Sequence, residues 1–225
     1  MARPSRNLDR ALLAAGSELY PVHGCAGLTI RQVADAAGVN IGMFHYHFGS
    51  REAFLRALLQ QTYESMFAHL QLETGRHQLE PVAALRGAFR VIGRFARENR
   101  RFIVRVMADA LSGEVVARDF MRENMPRHLG LIQALLAEGQ RLGVIRAMAP
   151  RQALAFCVGA IGSPILLGGA IADSGALPRA ASRALADDVL SEKAIDERIE
   201  LALAALAAAR PVRRVTARTA SRTTQ

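Results

Sequence analysis

The residues best suited to chemistry in this chain lie between Thr29 and Arg51, and the chemistry is recognition by hydrogen bonding and shape, with no bond-making group. If Phe44 and Phe48, four apart, point inward, then Asn40, Ile41, Gly42, Met43, His45 and Tyr46 turn outward on a short helix, with His47 at the boundary. A surface of Met, His and Tyr around a Gly gains little from water. Against double-stranded DNA each has a partner: Gly allows close approach, Tyr and His donate to phosphate, and Met meets thymine methyls. Arg51, in the first turn of the next helix, is placed to meet the DNA backbone.

A helix as short as Ile41 to Phe48 is unstable alone, so its neighbours must hold it. Thr29 can accept from the Gln32 backbone N–H while the Gln32 side chain reaches back, a capping box that opens a preceding helix, and Leu28 and Val33 sit where a hydrophobic staple closes over it. Ile30, Val33, Ala34 and Ala37 form a narrow stripe of mostly small residues that admits a second helix closely. Gly38 stops the first helix, Asn40 caps the second, and Ser50 caps a third. Two helices joined by a short turn containing Gly form a helix-turn-helix, whose second helix enters the major groove.

On these residues the chain resembles the TetR/AcrR family of transcriptional regulators: Thr29, Ala34, Ala37-Gly38-Val39, Gly42, Phe44, His47-Phe48 and Glu52 match its signature. The likeness is dense from Leu8 to Leu59 and only architectural beyond. It implies that Thr29 and Arg51 touch phosphate, that Arg31 reaches a base, and that Asn40 to Met43 with His45 to His47 form the recognition face. Three positions depart from the pattern: His45 replaces the usual phosphate-binding Tyr, Arg51 the usual Lys, and Pro21 falls near the end of the first helix. Of these, His45 makes a contact whose strength varies with protonation.

Charge agrees with this reading without carrying it. Residues 1–51 hold five Arg against three acids and residues 52–209 nineteen bases against seventeen acids, so the net +9 comes mostly from Arg210, Arg213, Arg214, Arg218 and Arg222 in an acid-free tail. That tail, 210–225, reads as a disordered basic extension, either adding sequence-independent phosphate affinity or simply solvated. Arg3 and Arg6 fit an arm against DNA. Cys25 and Cys157 lack metal or disulfide spacing, and the first ten residues lack the apolar run of a signal peptide, which fits a cytoplasmic protein.

The remaining chain is helical and apolar. Leu8, Leu12, Ala15 and Leu19 predict a first bracing helix, with His23 to Gly27 a packed loop after it. A long helix starts at Ser50, and Pro81 and Pro126 fall in first turns. Phe95, Phe102, Val106, Asp109, Phe120 and His128 are the candidate ligand-binding residues, Asp109 and His128 being polar groups in apolar helices. Arg97, Arg100, Arg101 and Arg105 read as a solvated face paired with Glu98 and neighbouring acids. Gln152 to Ala172 carries no charge, long enough for a bilayer span but rich in Gly and lacking an aromatic belt. In the family resemblance it is instead one of two dimer helices, the other being Lys193 to Ala209 with Ile195, Ile199, Ala202, Leu203 and Leu206.

There is no GxSxG, phosphate loop or HExxH, so no enzyme, cofactor or metal site is expected. The fold expected is all-α: a three-helix DNA-binding domain (1–51) joined by a long helix to a helical effector-binding and dimerisation domain (52–209). The function expected is a homodimeric, DNA-binding transcriptional repressor released from a palindromic operator by a small-molecule effector. The alternatives are a membrane-anchored regulator spanning 152–172 and an enzyme using the helical domain as a substrate pocket.

Overall fold

Caps decide where the first helices begin. The Thr29 hydroxyl accepts from the Gln32 N–H at 3.2 Å while Gln32 Oε1 accepts from the Thr29 N–H at 2.8 Å. Asn40 Oδ1 accepts from the Met43 N–H at 3.1 Å, and Ser50 Oγ from the Ala53 N–H at 3.1 Å. Gly38 closes the first of these helices in the left-handed conformation, φ 65°. The computed structural model describes residues 6–77 and 79–208. Its helices are α1 (Arg6–Gly27), α2 (Ile30–Ala37), α3 (Ile41–Phe48), α4 (Arg51–Arg76), α5 (Pro81–Glu98), α6 (Arg100–Leu111), α7 (Val115–Arg141), α8 (Pro150–Asp173), α9 (Arg179–Asp188) and α10 (Glu192–Leu206). Among the described residues the only β pairing is an isolated bridge between Ile145 and Ala207. The basic tail, Arg3 and Ala209 lie outside the described residues.

Two apolar cores share α4. The first joins Leu12, Tyr20, Leu28, Val33 and Phe44 to Phe54, Leu55, Leu58 and Leu59, and also takes Phe102 and Val106 from α6 and Val116 and Ala117 from α7. The second continues from Tyr63, Met66, Phe67 and Leu70 to Leu85 and Phe89, Ile132 and Leu136, Ile161 and Ile165, and Ile195 and Ile199.

Several sequence expectations change. The His23 to Gly27 segment is the bent end of α1, turning at Gly24, whose φ of 63° and closeness to the Arg105 guanidinium leave no room for a Cβ. Pro81 does occupy a first turn, but Pro126 lies inside α7. The interruption falls in a helix anchored on both sides, by Val116 and Ala117 before it and Ile132 and Leu136 after it. Ile195, Ile199, Ala202, Leu203 and Leu206 are not a dimer face: all five are buried in their own chain's second core. Salt bridges from Arg86 to Glu200 (2.6 Å) and Arg90 to Asp196 (3.0 Å) fasten α10 to α5 along that side. The short helix α9, which contributes no buried residue, has no counterpart in the sequence reading.

Pro150–Asp173 is long and apolar enough to cross a membrane, yet one face packs inward through Ala153, Cys157, Ile161, Ile165 and Gly169. Phe156, Val158, Leu167 and Ile171 stay exposed on the other.

Candidate functional site

Helix α3 is pinned by aromatics. Phe44 is fully buried, 5.1 Å from the Phe54 ring and 5.6 Å from Phe48, and Phe48 meets Phe54 edge-on at 5.0 Å. This anchor exposes Asn40, Ile41, Gly42, His45 and Tyr46, the last at 66%, while Met43 and His47 are half-buried. Arg31 stands free on α2 except for a long 3.9 Å pair with Asp35. A Cβ at Gly42 would come within 3.0 Å of Asn40 Oδ1, so this glycine also protects the cap that starts the helix. His45 Nδ1 lies 3.1 Å from the Gly49 carbonyl, and His47 Nε2 is buried without a partner. Thr29 is exposed, its hydroxyl engaged with Gln32.

Arg51 departs from the expectation of an outward, phosphate-seeking side chain. Its guanidinium turns back and donates to the carbonyls of Cys25, Ala26 (3.5 Å) and Leu28 (3.4 Å), with Nε on Glu52 at 3.3 Å. The end of α1 has unpaired carbonyls and the negative end of a helix dipole, which attract a cation. Arg51 therefore welds α4 to α1 just where the chain enters α2.

Asp109 likewise leaves its expected role. It is buried at the contact of α6 with α1, outside the lining of the apolar cavity. Oδ2 accepts from Tyr20 Oη (2.8 Å) and the Cys25 N–H (2.7 Å), and Oδ1 lies 2.9 Å from Arg105 Nε as an ion pair without the alignment of a hydrogen bond. Arg105 also donates to the His23 carbonyl at 3.2 Å. Burial and the neighbouring thiol and carboxylate push the Tyr20 hydroxyl far above its usual range. Nothing local in the sequence marks Tyr20 or the Cys25 amide, because their partner is more than eighty residues away. Of the arginine cluster, Arg97 pairs with Glu192 (3.4 Å) and Arg100 grips Asp173 through two bonds of 2.9 Å, distant acids in place of Glu98.

A cavity of about 300 Å³ lies among α4, α5, α6, α7 and α8, and Phe95, Phe102, Val106, Phe120 and His128 all line it as expected. Its few polar groups are largely spent: Tyr63 Oη donates to the Asn124 carbonyl (2.9 Å) and lies 3.3 Å from His128 Nδ1. Burial lowers the His128 pKa, which keeps the ring neutral. Burial also raises both thiols, Cys25 and Cys157, to about 11, so neither is a thiolate near neutrality.

Residues 12–58 match the family described as bacterial regulatory proteins, tetR family. The HTH-type transcriptional repressor KstR2 of Mycolicibacterium smegmatis is 28% identical over 86 residues, 37% of this chain and 42% of that protein. The match thus spans less than half of that relative. Among solved structures, the TetR family transcriptional regulator PfmR of Thermus thermophilus superposes with a TM-score of 0.59 at 21% identity, covering 80% of this chain and 93% of that one. HlyIIR, a hemolysin II transcriptional regulator, does so with a TM-score of 0.62 at 18% identity, covering 90% and 98%. These two share the all-helical fold.

Proposed function

Because residues 12–58 mark the chain as a member of the tetR family of bacterial regulatory proteins, we propose that it is a DNA-binding transcriptional repressor acting from the cytoplasm. The observation that carries this reading is α3: a capped, aromatic-pinned helix that leaves Asn40, Ile41, Gly42, His45 and Tyr46 outward for base edges and phosphates. Arg31 and Thr29 flank that face. The Mycolicibacterium relative is a transcriptional repressor, which supports the sign of regulation.

Two copies act together in this reading. A dimer sets two recognition helices ~34–36 Å apart or a multiple of it, matching half-sites of a palindrome. The exposed Phe156, Val158, Leu167 and Ile171 on α8 supply the apolar area that a partner covers, and the inward face of α8 favours this over a membrane span. A ligand in the cavity would act through α6, which carries Phe102 and Val106 at the cavity wall and Arg105 and Asp109 at the hold on α1. It weakens DNA binding by its difference in affinity for the two head spacings.

Footprinting of the purified protein on the DNA upstream of its own gene tests the proposal. Protection of two symmetric half-sites is the expected result; uniform, sequence-independent protection refutes it.

A further inference from the structure

The apolar cavity has a neighbour at the surface. A second hollow, a cleft of about 650 Å³, runs between α1 of the DNA-binding head and α4 and α5 of the body, and Thr62, Met66 and Phe95 line both spaces. The two differ sharply in chemistry. No Arg, Lys, Asp or Glu lines the inner cavity, and His128 there is held neutral, so an anion inside would lose its hydration with no cation to replace it. The outer cleft carries Arg10 from α1, Arg76 from α4 and Arg94 from α5, against Glu73 and Glu98. Glu73 is already paired with Arg76 at 3.0 Å, whereas Arg10 and Arg94 have no ion-pair partner among the described residues.

We infer that the two spaces form one site for a single-chain anionic amphiphile, whose hydrocarbon part fills the inner cavity and whose phosphate or carboxylate rests between Arg10 and Arg94. The inference deepens the effector reading of the cavity and rests on it. At about 30 Å³ for each water-sized group, the inner space takes about ten methylenes. A head group held by Arg10 and Arg94 ties α1 to α5, so occupancy bears directly on how the DNA-binding head sits on the body. A wholly neutral ligand would leave that cleft unused.

Calorimetric titration of the DNA-free, full-length protein tests this with four probes kept below their micelle concentrations: decyl phosphate, decanoate, 1-decanol and butyl phosphate. At low salt at least one ten-carbon anion should bind about tenfold or more tighter than decanol, as expected of hydrogen bonds to a charged group. Which anion is tighter identifies the head group. Butyl phosphate should bind at least about tenfold more weakly than decyl phosphate, because it cannot reach the cavity. In the Arg10→Ala/Arg94→Ala double variant, whose changes are at exposed positions, the anion preference should fall to within about threefold of decanol. Decanol binding as tightly as both anions, butyl phosphate matching decyl phosphate, or an unchanged preference in the double variant would each overturn the site. Footprinting separates the two claims: symmetric protection with no anion preference sinks the amphiphile alone, and uniform protection with a strong anion preference sinks the repressor reading alone.

Discussion

Asp109→Ala strands three groups at the head–body contact: the Tyr20 hydroxyl at 2.8 Å, the Cys25 N–H at 2.7 Å and the Arg105 guanidinium at 2.9 Å. Removing one partner of a buried pair costs about 3–5 kcal/mol. The Arg105 side chain is one-third exposed and regains water, so the lower end, about 3 kcal/mol, is the expected loss. Tyr20→Phe removes one hydrogen bond to a carboxylate that keeps its other two contacts, and about 1.5–2 kcal/mol follows. Urea denaturation monitored by far-ultraviolet circular dichroism reads both, and a Tyr20→Phe/Asp109→Ala cycle reads their coupling. Because the hydroxyl acts through the carboxylate, the double variant should lose clearly less than the sum of the singles. Additive losses, or an Asp109→Ala loss below about 1 kcal/mol, would refute the buried carboxylate as the joint between head and body.

Tyr46→Ala should abolish operator binding by fluorescence anisotropy with the unfolding midpoint unchanged, whereas Phe44→Ala, which empties a fully buried site, should cost about 3–5 kcal/mol. Arg51→Ala should lower stability by about 1–3 kcal/mol through the carbonyls it leaves unpaired, as well as DNA affinity; unchanged stability would return Arg51 to the solvent-facing role expected from sequence. Leu167→Glu places a charge on the exposed side of α8 and should shift sedimentation from dimer to monomer without loss of helix content. Burial holds the His128 pKa below its unfolded value, so the unfolded chain binds the extra proton. Stability should therefore be full above about pH 6.5 and fall as pH drops through it, and the difference in stability between parent and His128→Leu should shrink or reverse over that range.

The head was legible because its determinants are local. Thr29 with Gln32, Asn40 with Met43 and Gly38 at a helix end each act within three or four residues, so their spacing in sequence is their geometry. The cavity was partly legible, since apolar stripes mark Phe95, Phe102, Val106 and Phe120 as inward without saying which inward residues pack and which leave space. Roles fixed by distant partners were not legible. Asp109 reads as a pocket polar residue until Tyr20 and Cys25 arrive from α1, and Arg51 reads as a phosphate ligand until the end of α1 is seen beneath it. Periodicity gave α10 a single apolar stripe, and only the packing of α5 and α8 against it decides that the stripe serves its own chain.

Phe102, Val106, Val116 and Ala117 help to close the core around Leu12, Tyr20 and Phe44. The unit of α1, α2 and α3 is consequently not a cassette. Grafting residues up to Arg51 onto a foreign body would carry away half of an apolar interior and leave its lid behind. A working chimera must bring the start of α4, with Phe54 to Leu59, and the α6–α7 corner along with the helix-turn-helix.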